Sequence, residues 1–384
     1  YTWTVDTTAP NTTITANPAN PTNATGASFS FTSTEGGSTF EVRLDGGAWS
    51  ASTTPTTYSG LTQGSHTFDV RATDPAGNQD ASAATFTWTI DTTNPTGSIT
   101  APADAANLRA TVNLTSDSAD TGGAGVATAQ FQRSPAGAGT WTNQAASFDT
   151  TSVADGLYDL RVVTTDNASN SFTSATVGVR VDNTPPTATT NDPGANLSGT
   201  IVLTSSTADT GGSGIATVTY QRSPAGAGTW TNQVASFDTT SVADGLYDLR
   251  VIAVDNAGNS TTSAVVTNRR IDNNAPTVDI TAPVAALNSS AADPYPVTAP
   301  SPDGDLTQVE FFECPTPACG TQASIGVDTT APFSVSRAIA ADGTWTLKAV
   351  ATDAALNTGS DVQTVTVERT RTRMVTSVRR KPTA

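Results

Sequence analysis

The sequence predicts an all-β chain: a tandem array of four β-sandwich domains, elongated like beads on a string. Three observations predict this. Short motifs recur at a spacing of about 90 residues, a whole-domain length rather than the 20–50 residues of a solenoid repeat. Thr, Val and Ser dominate, and clusters of Gly, Pro, Asn and Asp interrupt them every 8–12 residues. No apolar period of 3.6 residues is sustained anywhere, so helices are not expected.

The motifs set the boundaries. Asp-Thr-Thr-Ala-Pro at Asp6–Pro10 returns as DTTNP at Asp91–Pro95, DNTPP at Asp182–Pro186 and DNNAP at Asp272–Pro276. A second marker, D-x-A-x-N, stands at Asp74–Asn78, Asp166–Asn170, Asp255–Asn259 and Asp353–Asn357. The expected domains are 7–90, 91–181, 182–271 and 272–368, with an orphan strand at 1–6 and a basic tail at 369–384. The central two are near copies, since QRSPAGAGTWTNQ at Gln132–Gln144 reappears at Gln221–Gln233.

Within the second repeat the pattern predicts strands near 98–101, 111–116, 127–133, 139–143, 146–150, 156–165 and 171–181. Seven strands in a domain of this length fit an immunoglobulin-like sandwich. Alternation in Asp155–Asp166 puts Tyr158, Leu160 and Val162 on one face and Asp159 and Arg161 on the other. The matching inward sets are His66, Phe68, Val70; Tyr247, Leu249, Val251; and Trp345, Leu347, Ala349. The first member of each set occupies the tyrosine-corner position, where a hydroxyl bonds back to the upstream backbone. The single histidine, His66, is therefore expected to be a corner residue and not a catalyst.

Composition narrows the function. Charged residues are 14% of the chain, against roughly 25% in ordinary domains. A net charge of −16 argues against nucleic acid as a partner. No apolar run approaches the roughly 20 residues of a membrane-spanning segment. One His and two Cys leave little material for zinc or Ser–His chemistry. The only methionine is Met374, so a processed product or a piece of a longer chain is expected.

With these motifs the sequence resembles bacterial immunoglobulin-like repeat domains. The quoted segments are LDGGAWSA from Leu44, GLTQGSHTFDVRATDPAGN from Gly60 and FTWTIDTT from Phe86 in the first repeat. In the fourth they are VEFFE from Val309 and DGTWTLKAVATDAALN from Asp342. The resemblance implies surface adhesins or appendages of secreted enzymes, and so a non-enzymatic role.

Cys314 and Cys319 enclose four residues where sister repeats place a hairpin loop. A disulfide is expected, and with it an oxidising compartment: extracellular, secreted or cell-surface. Two thiolates alone cannot complete a structural zinc site.

One constellation has chemical potential. In such a sandwich the loop before the last strand and the loop after the second strand lie at the pole where the chain arrives. That gathers Asp91, Asp166 and the Asp117/Asp120 loop; Asp182, Asp209 and Asp255; and Asp272, Asp353 and Asp303/Asp305. The first repeat offers Asp6, Glu35 and Asp74. Clustered carboxylates repel unless bridged, and Ca²⁺ takes six to eight oxygen ligands. The expectation is calcium at the domain junctions; plain turn structure is the alternative, because Asx residues bond their own backbone in turns.

The remaining features concern partners. Tyr1, Trp3 and Val5 belong to YTWTVD, a copy of FTWTID at Phe86–Asp91, and could serve self-association by strand donation. Trp49, Trp141 and Trp230 recur near one hairpin and could be stacking platforms for glycans or ordinary packing residues. Residues 369–384 hold six of the 18 basic residues. The functional expectation is a non-catalytic stalk or spacer. Alternatives are a filament subunit that assembles head-to-tail with other copies of itself, and a glycan-binding accessory region. The partners are neighbouring repeats, cell-wall or host glycans, or proteins.

Overall fold

The computed structural model describes residues 1–281, 287–288, 295–315, 323–337 and 342–368. Cys319 and the basic segment 369–384 lie outside the described residues. The described chain is β-structure, with two single-turn 3₁₀ segments at Thr150–Ser152 and Thr239–Ser241.

The first repeat is a seven-stranded sandwich. One sheet orders Thr12–Ala16, Ala27–Ser33 and Thr56–Tyr58; the other orders Ser50–Ser52, Thr39–Leu44, Gly64–Thr73 and Ala84–Ile90. Alternate residues of each strand meet between the sheets. Phe29 stacks on Phe68 with ring centroids 4.0 Å apart, and Trp88 and Ile90 close the core without exposure. A fully buried side chain of this size contributes about 2–3 kcal/mol.

The second repeat carries the same plan with shorter outer strands. Its larger sheet orders Thr142–Gln144, Val126–Pro135, Gly156–Asp166, Val177–Val181 and Ala106–Leu108. Ala106–Leu108 runs parallel to Val177–Val181 and was not legible as a strand. Small pairs, Ile99–Ala101 with Thr115–Ser116 and Thr111–Asn113 with Ser147–Asp149, form the opposite layer. Two expected strands are interrupted. The run 111–116 breaks at Leu114, which is buried. The run 171–181 breaks after Thr173, where the Ser174 hydroxyl accepts the Val162 N–H at 3.0 Å and so replaces a ladder bond. Ser263 does the same for Val251 in the third repeat.

The third repeat repeats this strand order, and the fourth orders Leu287–Asn288, Thr358–Glu368, Gly343–Asp353, Leu306–Cys314 and Ala323–Asp328. Each repeat has its own buried apolar cluster, around Phe68, Leu160, Leu249 and Phe311 respectively. By compactness the chain divides into two units. One is Tyr1–Pro186 with Asp209–Ala216 and Val254–Asn259; the other is Thr187–Ala208, Thr217–Ala253 and Ser260–Ala384.

The corner residues behave alike. Tyr158 and Tyr247 donate their hydroxyls to the carbonyls of Ala154 and Ala243, at 3.0 and 2.9 Å. His66 Nε2 lies 2.8 Å from the Thr62 carbonyl, the same four-residue step back. Cys314 is buried at the end of its strand and disulfide-bonded. Among the described residues no helix is long and apolar enough to cross a membrane.

Candidate metal centres at the domain joints

The inward alternation that builds each core continues to the pole. In Gly156–Asp166 the buried face reads Tyr158, Leu160, Val162, Thr164, Asp166. The carboxylate thus ends a column of core residues. Asp74, Asp255 and Asp353 end the corresponding columns, and all four are buried.

Each of these aspartates is held by the asparagine four residues on. The Asn170 N–H and Nδ2 donate to the two oxygens of Asp166, both at 2.8 Å. The same Nδ2 donates to the Asp91 carbonyl at 2.9 Å. This second bond recurs from Asn259 to Asp182 and from Asn357 to Asp272, both 2.9 Å, and from Asn78 to Asp6 at 3.1 Å. One amide therefore ties the arriving linker to the last loop of the next repeat. Sequence reasoning singled out the motif but missed this role; its signal is the invariance of the fifth residue in D-x-A-x-N across the four copies.

The linker aspartates turn their side chains inward too. Asp91 accepts the N–H groups of Thr93 and Ala124, at 3.0 and 2.7 Å; Asp182 accepts those of Thr184 and Ser213, at 3.2 and 2.7 Å. The third carboxylate comes from the Gly-rich loop. Asp120 accepts the Gly125 N–H at 2.7 Å, and Asp209 the Gly214 N–H at 2.5 Å. Among the described residues the result is three carboxylate triads: Asp91–Asp120–Asp166, Asp182–Asp209–Asp255 and Asp6–Glu35–Asp74, each with oxygens within 4.8 Å of one another. In the last, burial and the charges of Asp6 and Asp74 raise the Glu35 pKa. Asp74 is lowered, chiefly by the Asn78 amide.

Two observations bear on what these oxygens can hold. The Oδ1 of Asp120 is buried, and among the described residues no donor reaches it. The Gly-rich loops curl around the carboxylates so tightly that a Cβ at Gly123 would collide with Asp91 and Asp120, and one at Gly212 with Asp209. The donor set is all oxygen, which suits a hard divalent cation such as Ca²⁺ rather than zinc or copper.

Of Asp117 and Asp120, the structure brings one to the triad. Asp120 joins its triad, while Asp117 turns to the Ser98 N–H and hydroxyl, and the N–H bond leads in lowering its pKa. Asp272 and Asp353 depart from the expectation, since they do not close into a triad with Asp303 or Asp305. Asp303 accepts the Thr277 N–H instead. The Arg270 guanidinium lies 3.3 Å from both Asp272 and Asp305. Sequence reasoning did not single out Arg270. Its signal is the two-residue step to Asp272, which puts both on one face of an extended segment.

The tryptophans are not open platforms on both faces. The guanidinium carbons of Arg71, Arg161 and Arg250 lie 4.1, 3.9 and 4.0 Å from the ring centroids of Trp49, Trp141 and Trp230. Tyr1, Trp3 and Val5 are 126, 81 and 70% exposed and pair with no strand among the described residues.

One segment of the chain matches a known family. Residues 231–293 match the family model of the bacterial Ig-like domain, group 3. Over these residues the chain is similar to a bacterial Ig-like domain. The matched segment runs from the hairpin of the third repeat past the Asp272 linker. The chain is 34% identical over 284 residues to Exoglucanase B of Cellulomonas fimi, a match covering 67% of this chain and 25% of that enzyme. The chain thus spans about a quarter of that relative. Among solved structures, a tetra-tandem repeat from the extending region of a large adhesion protein is 18% identical, with 94% of this chain and 99% of that one covered and a TM-score of 0.35. Fibronectin(III)-like modules of Clostridium thermocellum CbhA are 12% identical, cover 71% of this chain and 95% of their own, and give a TM-score of 0.18.

Proposed function

We propose that this chain is a non-catalytic, extracellular spacer made of Ig-like domains whose joints are stiffened by calcium. The observation that carries the proposal is the joint itself. One asparagine amide ties each arriving linker to the next domain at four places, at 2.9–3.1 Å. A device repeated at every joint serves the geometry of the array. A catalytic centre would instead need a residue set present in one domain and absent from its sisters.

Calcium fits three of these joints. Asp91, Asp120 and Asp166 would hold one ion, Asp182, Asp209 and Asp255 a second, and Asp6, Glu35 and Asp74 a third, with loop carbonyls completing the shell. The ion would supply charge compensation to carboxylates that otherwise repel. The chain's own residues do the rest: the amide ties hold the linker, and the Gly-rich loops bring the third carboxylate to it. The buried Oδ1 of Asp120 supports this reading. The disulfide at Cys314 and the likeness to part of an exoglucanase support an extracellular setting, with the array accompanying other domains.

The test is calcium titration by calorimetry, paired with small-angle scattering. Three ions per chain are expected, and Asp120→Asn should remove one. The distance distribution should lengthen and narrow with calcium relative to chelator. Absence of binding at millimolar calcium would sink the calcium joints, leaving the amide ties as the only stiffening element.

A second reading rests on Tyr1, Trp3 and Val5. Their counterparts Trp88 and Ile90 are fully buried in the first domain, whereas these side chains face solvent. Strand exchange between copies would cover them. Concentration-dependent assembly that vanishes on deletion of residues 1–6 would favour it; a monomer at all concentrations would end it.

A further inference from the structure

The joint at Asp272 differs from its sisters in one respect. Its linker aspartate and amide tie are the same. Asp272 accepts the Asn274 N–H at 3.2 Å, and Asn357 Nδ2 donates to the Asp272 carbonyl. Asp353 is held as its counterparts are, by the Asn357 N–H and Nδ2, both at 2.9 Å. What changes is the occupant. A 160 Å³ cleft is lined by Asp272, Asp303, Asp305 and Asp353, and Arg270 reaches into its rim. One nitrogen of its guanidinium, Nη2, lies 3.3 Å from an oxygen of Asp272 and 3.3 Å from an oxygen of Asp305.

We infer that Arg270 is a built-in counter-ion that makes this joint independent of divalent cations. The inference rests on the calcium reading of the other three joints and assigns the fourth a different chemistry. The physical reason is direct. A guanidinium keeps its charge at any pH the protein meets, and it spans two carboxylates with fixed donors. Once it has compensated Asp272 and Asp305, a divalent ion must displace it to bind.

Position alone does not produce this arrangement. Arg180 stands two residues before Asp182, as Arg270 does before Asp272. Yet Arg180 donates from Nη1 to the Gly211 carbonyl at 3.3 Å, and the Asp182 triad is left to itself. Thr89 and Thr4 hold the matching positions before Asp91 and Asp6 and bring no charge. The four joints thus form a graded set: three that depend on a supplied cation and one that carries its own. An array built so would loosen on calcium loss at the N-terminal joints while the Asp272 joint stayed closed.

The test uses the full chain and limited digestion by a serine endoproteinase that cuts after Asp and Glu, with products mapped by mass. It compares calcium with chelator, in wild type and in Arg270→Gln. In wild type, chelation should expose the linkers at Asp91–Pro95 and Asp182–Pro186 and leave Asp272–Pro276 protected. In R270Q, cleavage after Asp272 in chelator should rise about two- to fivefold, the range an ion pair of this exposure supplies. Calcium should restore protection in R270Q by entering the vacated place. Opening of the Asp272 linker on chelation of the wild type, or unchanged protection in R270Q, would overturn the inference. If chelation exposes no linker in wild type while R270Q still opens Asp272, the calcium reading fails and the counter-ion role of Arg270 stands.

Discussion

The Nδ1 of His66 lies 2.8 Å from the Oδ2 of Asp45, while its Nε2 lies 2.8 Å from the Thr62 carbonyl. Both partners are acceptors, so the ring satisfies both contacts only as a doubly protonated imidazolium. The second and third repeats use a tyrosine hydroxyl at the same place, which has one proton to give. The corner of the first repeat therefore calls on two ring protons, where the next two need a single hydroxyl proton.

Burial opposes the charge on His66, but the Thr62 carbonyl and the Asp45 carboxylate together raise its pKa above the ordinary value. The sign follows from linkage. A raised histidine pKa gives stability that is fully present below about pH 6.5, the unfolded value, and lost as pH climbs through the folded value. For Asp45, burial likewise opposes the charge, but the Thr67 N–H and His66 outweigh it and lower its pKa, so its contribution is lost as pH falls through that lowered value. The chain has one histidine, so its ring resonance is unique by NMR. The measured pKa should exceed 6.5 by an amount that Asp45→Asn reduces. A value at or below 6.5 in the wild type would mean that the ring is neutral and donates to only one of its two partners.

Asn170→Ala should destabilise the Asp91 joint more than any surface substitution of similar size. It removes one donor from the buried Asp91 carbonyl and another from a carboxylate oxygen of Asp166. Leaving such groups unpaired costs about 2–4 kcal/mol. Thermal unfolding followed together with cleavage of the 91–95 linker should show the joint loosening first. A loss below about 0.5 kcal/mol would show that the amide tie is ornamental.

Gly123→Ala tests whether the Gly-rich loop cradles the carboxylates. The added methyl would meet oxygens of Asp91 and Asp120, and its neighbours there are anionic groups held by backbone N–H donors. The loop must shift by enough to part the triad. Calcium affinity at that joint should fall about tenfold or more, while the Asp182 triad keeps its own. Gly36→Ala, where a Cβ meets nothing within 4 Å, should leave the same joint unchanged. Equal affinity in both variants would show that the loop's closeness has no part in binding.

Much of this was legible because strand geometry converts spacing into facing. A period of two put Tyr158, Leu160 and Val162 on one face, and the same count places Asp166 at the end of that face. The recurrence of D-x-A-x-N and D-x-x-x-P marked the poles. The interruption at Ser174 was not legible, because a side-chain hydroxyl that replaces one ladder bond leaves the alternation nearly intact. Ala106–Leu108 escaped because three residues with one buried end carry no period.

The sequence by itself determined the repeats, the inward columns and the collection of aspartates at each joint. These follow from local backbone geometry, which repeats whenever the residues repeat. Only the tertiary structure decided that Asp120 and not Asp117 faces Asp91, because the turn of the Gly-rich loop aims each carboxylate and loop turns have no period to read. It alone decided between a triad at Asp182 and an arginine-bridged pair at Asp272. Arg180 and Arg270 occupy the same register, and what each guanidinium meets depends on a loop folded from distant residues: a carbonyl at Gly211 in one case, a carboxylate at Asp305 in the other.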